Sequence, residues 1–113
     1  MKIKNLTPHP LTIVGENGTL QIPPSGRVAR ISVTRTELDP VIVDGIKLPV
    51  NLPVLGEIND LPAPQAGVII VVSALVAEAA RRADVMSPGE LVRDVNGVVI
   101  GAMGLSAYKG DAI

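Results

Sequence analysis

Val68-Ile-Ile-Val-Val-Ser-Ala-Leu-Val-Ala-Glu-Ala-Ala-Arg-Arg82 changes its period at a single residue. Val68–Val72 is an unbroken β-branched run, the pattern of a strand buried on both faces. Ser73 follows directly and is placed to cap a helix by accepting a bond from an amide of the first turn. From there Leu75, Val76, Ala79, Ala80 and Ala83 recur at helical spacing, which predicts one short helix from Ser73 to about residue 83. Glu78 and Arg82 are spaced as an i,i+4 ion pair, and the two arginines suit the negative end of the helix dipole. No other segment has this period, so the remainder is strand or loop.

Outward from that junction the chain is punctuated by Asn17-Gly18, Asp44-Gly45 and Asn96-Gly97, each between apolar segments. Asn or Asp before Gly suits a tight hairpin turn with positive φ at both central positions. The implied strand pairs are Leu11–Val14 with Thr19–Ile22, Val41–Val43 with Ile46–Leu48, and Leu91–Val95 with Val98–Ile100. Within Arg27–Arg35, Ala29, Ile31 and Val33 alternate with Arg30, Ser32 and Thr34, as in a half-buried strand. Between Leu48 and Pro64 the prolines Pro49, Pro53, Pro62 and Pro64 argue against a regular ladder and for an irregular arm. Pro88-Gly89 reads as a turn into the last hairpin. The fold class expected is α+β: a mainly antiparallel sheet built from hairpins, with one short helix at about 73–83. Residues 1–113 are expected to form a single domain, with the proline-rich arm at about 48–64.

The core must be aliphatic. The 113 residues include no Trp and no Phe, and Tyr108 is the only aromatic residue. Ten basic and eleven acidic side chains give a formal charge of −1 with no polybasic arm. A nucleic-acid polymer is therefore not an expected partner, because neither the positive field nor the stacking platforms are present. The absence of Cys removes disulfides, thiol nucleophiles and thiolate metal sites, and fits a cytoplasmic setting. Met1–Thr7 has no apolar leader core, and the run Gly67–Ala77 falls far short of the ~20 residues that span a bilayer. No membrane association is expected.

The candidates for chemistry are few. His9, the only histidine, lies between Pro8 and Pro10, which stiffen its loop. It could serve as a general base, or stand in a simple turn before the first strand, and spacing supplies neither an orienting partner nor a nucleophile. Ser73 marks a helix N-terminus able to receive an anion, although a cap alone explains it and no glycine-rich phosphate loop precedes it. Arg27, Arg30 and Arg93 could make bidentate contacts with phosphate or carboxylate, or simply stand in water. With one His and no cluster at ligand spacing, neither a metal nor any other cofactor is expected.

Asn5-Leu-Thr-Pro-His9, Pro24-Ser-Gly26 with Ala29-Arg30, Val72-Ser-Ala-Leu-Val-Ala77, and Pro88-Gly89 with Val92-Arg-Asp94 and Gly97 resemble a family of small uncharacterised proteins of tailed phages and prophages. The resemblance lends no catalytic residues. It implies a setting in the cytoplasm of a bacterial host, where small phage proteins act as accessory factors, including oligomers that sequester nucleotide immune signals. The expected function is a homo-oligomer that binds a small anionic ligand, a nucleotide signal being the candidate, through His9, Arg27, Arg30, Ser73 and Arg93. The alternatives are a structural or protein-interaction module and, third, a small hydrolase using His9. The homo-oligomer is suggested by Val50, Leu52, Val54, Leu55 and Ile58 in the arm, which need cover from a neighbouring subunit or from the chain's own sheet.

Overall fold

The computed structural model describes residues 1–110. Eight strands and one helix follow in the order β1 Lys2–Asn5, β2 Leu11–Val14, β3 Thr19–Ile22, β4 Arg30–Val43, β5 Ile46–Asn59, β6 Val68–Val71, α1 Ala74–Ala80, β7 Val85–Arg93 and β8 Val99–Ala107. Six strands form one sheet in the order β1-β6-β7-β8-β2-β3, and β4 and β5 form a separate two-stranded hairpin.

The three expected hairpins are present, and the protein is β-rich with one short helix. The large sheet is mixed, however, and not mainly antiparallel. β1 runs parallel to β6, β6 to β7, and β2 to β8. The helix between β6 and β7 is a crossover, which returns the chain in parallel register. β1 has no local partner, because Leu6–Pro10 leads away to β2, so it takes the free edge of β6.

The helix stops at Ala80, short of residue 83, because Arg81 takes the left-handed conformation at φ 48°, ψ 47°. The expected Glu78–Arg82 pair is replaced by another. Arg82 grips the buried Asp84 through two hydrogen bonds of 3.0 and 2.7 Å and donates a third, of 3.0 Å, to the Pro62 carbonyl. Of the three turn dipeptides only Asp44-Gly45 has positive φ at both positions, 50° and 78°. The Asn96-Gly97 turn is closed instead by Asp94, whose carboxylate accepts from the amides of Asn96 and Val98. Pro88-Gly89 does not turn the chain. It lies inside β7, where a Cβ on Gly89 would run into the Met103 carbonyl of β8. Glycine is needed there for close strand approach.

Most of the arm expected at 48–64 is instead part of a continuous strand, β5, and only residues 60–64 lie outside it. β5 pairs with β4 from Val43↔Ile46 to Arg30↔Asn59, with register shifts near Ile31/Val33 and Leu38/Val41. Its base folds back on the molecule, since Ile31 and Ile58 pack against the core of Leu6, Ala29, Ile70, Val72, Val76, Ala77 and Val85. The rest projects. The radius of gyration is 17.5 Å, against about 13 Å for a compact domain near this length.

The edges of the large sheet, β1 and β3, curl toward each other, and Met1 and Ile3 share an apolar recess with Leu20 and Ile22. Asn5, only 1% exposed, closes the gap. Its Nδ2 donates to the carbonyls of His9 at 2.8 Å and Ile22 at 3.3 Å. Its Oδ1 accepts from the Thr7 amide at 2.9 Å and the Thr7 hydroxyl at 2.7 Å. Truncation at Asn5 strands several buried polar groups without partners. Asn5→Ala is expected to lower the unfolding free energy by at least about 2 kcal/mol, read as a lower urea midpoint at unchanged slope. An unchanged midpoint would show that the side chain closes nothing.

Candidate functional site

After β3, Pro23-Pro24 carries the chain across the end of β1. The Ser25 amide donates to the Asn5 carbonyl at 3.1 Å, and the Ala29 amide to the Leu6 carbonyl at 3.0 Å. Between these two anchors Gly26, at φ 93°, makes a turn in which the Ser25 hydroxyl bridges the Arg27 amide and carbonyl. Arg27 is thereby held beside Lys4.

Three recesses meet along this segment. The first, about 200 Å³, is lined by Lys4 and Arg27, by Asp60, and by an apolar wall of Leu6, Ile58, Leu61 and Pro62. The second shares Arg27 and Asp60 with it and adds Gly26, Val28 and Arg30. The third, about 310 Å³, holds Arg30 and Ser73 together with Thr7, Pro8 and Leu75. Among the described residues, none of Lys4, Arg27, Arg30 and Asp60 is in an ion pair. Lys4, Arg27 and Arg30 thus line connected recesses with one carboxylate, Asp60, and no salt bridge between them.

The five residues singled out in the sequence divide. Arg30 lies between two of the others, sharing one recess with Arg27 and another with Ser73, while Arg27 and Ser73 share none. Ser73 caps α1, its hydroxyl accepting from the Val76 amide at 3.5 Å. Its exposed side chain leaves it at the rim of the third recess. His9 lies elsewhere, in a recess of β2, β7 and β8 residues that contains no carboxylate. Its part in the fold is through the backbone, where its carbonyl accepts from Asn5 and Thr7. Arg93 is in the last hairpin and donates to the Gly97 carbonyl at 2.9 Å, so it fastens a turn. Lys4 and Asp60 were not legible as site residues. Lys4 is one of two lysines on a four-residue strand, with nothing in the spacing to set it apart from Lys2, and Asp60, at φ 64°, enters only through the way β5 ends.

Among the described residues no three His, Asp or Glu side chains gather where they could hold a metal ion, and no helix is long and apolar enough to cross a membrane. No family model matches the chain, and no curated protein or solved structure shows significant similarity to it.

Two substitutions separate scaffold from site. Ser73→Ala should lower stability by about 1 kcal/mol by removing the cap. Gly26→Ala should cost about 1 kcal/mol or more, because an L side chain resists that φ. Both are read from urea midpoints. A neutral Gly26→Ala would mean that the Arg27 turn is not held as described.

Proposed function

We propose that this protein binds a small anionic ligand in the connected recesses along Gly26–Ile31. The observation that carries this reading is the grouping of Lys4, Arg27 and Arg30 against one carboxylate, in a chain of formal charge −1. Ordinary surface charge in a balanced chain is interspersed and compensates locally. Here the cations line recesses without ion pairs, a form suited to charge-assisted hydrogen bonds from phosphate or carboxylate oxygens. The apolar wall of Leu6, Ile58, Leu61 and Pro62 would take an uncharged part of the same ligand. With no aromatic side chain in these recesses, a base or sugar would pack on aliphatic groups and arginine planes.

The resemblance to small phage proteins gives the reading its setting, as a phage accessory protein acting in a bacterial host, with a nucleotide immune signal as the ligand to be sequestered. An enzyme using His9 has less support, since the recess around that residue offers no orienting carboxylate. A protein-interaction module is the second reading, favoured by the projecting β4–β5 hairpin.

Mass spectrometry of small molecules released from the natively purified protein identifies the ligand. Calorimetry with inorganic phosphate and with the released compound then measures it. Arg27→Ala and Arg30→Ala should each weaken binding roughly ten- to a hundredfold, the loss of one charge-assisted hydrogen bond to the ligand. The melting temperature should stay near that of the parent, because both side chains are exposed. Arg93→Ala should leave the affinity unchanged. Parent affinity in both Arg27→Ala and Arg30→Ala would remove the site.

A further inference from the structure

The two faces of the β4–β5 hairpin differ in kind. Successive side chains of a strand alternate between faces, and residues directly opposite across a ladder share one. The observed register therefore places Ile46, Leu48, Val50, Leu52 and Val54 of β5 on the same face as Val43, Val41, Leu38, Thr36 and Thr34 of β4. That face is eight aliphatic side chains and two threonines, without a charge. All the aliphatic ones except half-buried Val50 are between 43% and 62% exposed. The opposite face mixes charge with aliphatic groups: Arg35, Glu37, Lys47 and Asn51 share it with exposed Ile42, Val33 and Leu55, and it is the one continued by Ile31 and Ile58 onto the core. The apolar face is turned away from the molecule's own core.

We propose that this face packs against the same face of a second copy of the chain, forming a two-fold dimer of crossed or aligned hairpins. Area supports a second copy: eight aliphatic side chains near half exposure present on the order of 500 Å² of apolar surface. Two such faces together would remove about 1,000 Å² from water, the size at which specific interfaces begin. Self-association also asks that a surface complement itself, and a stripe with no charge meets its own copy without like-charge repulsion. The edges point the same way. Pro40 in β4 and Pro49 and Pro53 in β5 lack the N–H that an added strand would use, so the contact is face to face. A lipid surface is the poorer occupant. The charges of the two strands and their turn are Arg30, Arg35 and Lys47 against Glu37, Asp39, Asp44 and Glu57, with no basic excess to meet anionic headgroups. This interface is separate from the anion recesses and does not depend on them.

Light scattering of the purified full chain at micromolar concentration is expected to give twice the 11.7 kDa chain mass. Leu52→Glu, which puts a charge on the apolar face at a half-exposed position, should raise the dimer dissociation constant at least about a hundredfold while circular dichroism stays that of the parent. Ile42→Glu, on the other face, should leave the dimer intact. Because the chain has no cysteine, Val50→Cys at mid-stripe should form an intermolecular disulfide under mild oxidation, and Lys47→Cys should not. This second measurement decides the matter if Leu52→Glu fails to fold. A monomeric parent, a dimer indifferent to Leu52→Glu, or sedimentation of the parent chain with lipid vesicles as a monomer would overturn the proposal. Phosphate calorimetry on Leu52→Glu keeps the two assignments apart, since loss of the dimer leaves the Arg27 recess in place.

Discussion

A single buried amide holds the ends of the sheet together. Asn5 stands where β1 stops, and its four hydrogen bonds reach the loop to β2 and the end of β3. An open six-stranded sheet would leave two exposed edges, each a row of unpaired backbone groups. β1 and β3 curl toward each other over a shared apolar recess, but the two strands do not share a ladder and most of their residues stay exposed. The amide supplies what the ladder does not, with both of its polar atoms satisfied inside a core of aliphatic side chains. The backbone of the same short stretch also anchors Ser25 and Ala29. The recesses lined by Lys4, Arg27 and Arg30 are thus a by-product of sheet closure.

Much of the local structure was legible in the residues. The strand–Ser73–helix junction, the first hairpin and the Asp44-Gly45 turn are all set by short-range chemistry: a β-branched run, a hydroxyl cap, a dipeptide tolerant of positive φ. What could not be read is what depends on distant partners. β1 is four residues of ordinary composition, and nothing in Lys2-Ile-Lys-Asn announces a parallel neighbour at Val68–Val71. The prolines of β5 argued for irregularity because a proline inside a sheet removes a ladder bond. In a two-stranded hairpin each strand has one free side, so every second residue can be proline without loss. Pro49 and Pro53 obey that spacing. Arg82 illustrates the same limit, since its choice of Asp84 over Glu78 follows from where Arg81 breaks the helix.

The motif Asn5-Leu-Thr-Pro-His9 drew attention to its histidine, and its weight lies at the other end. Asn5 and Thr7 are buried and bonded, while the side chain of His9 is exposed and the residue joins them through its backbone amide and carbonyl. Of the residues expected at a site, those that converge do so along one backbone segment, Gly26–Ile31, and through its contact with the start of α1. Charge type alone did not distinguish Arg27 and Arg30 from Arg93. Position relative to the closed edge did.

The parallel pairing of β1 with β6 also orders events during synthesis. The first strand leaves the ribosome long before Val68–Val71, and at roughly 5–20 residues per second it waits several seconds for its partner. The β4–β5 hairpin lies wholly within that interval and joins only neighbours in sequence, so its loop closes in microseconds. An isolated two-stranded hairpin is only marginally stable in water, so during that interval the apolar ribbon forms and opens repeatedly until it gains something to pack against. On the proposed dimer, a second chain growing on the same message would be the first such partner within reach, and pairing of ribbons would precede the completion of either fold.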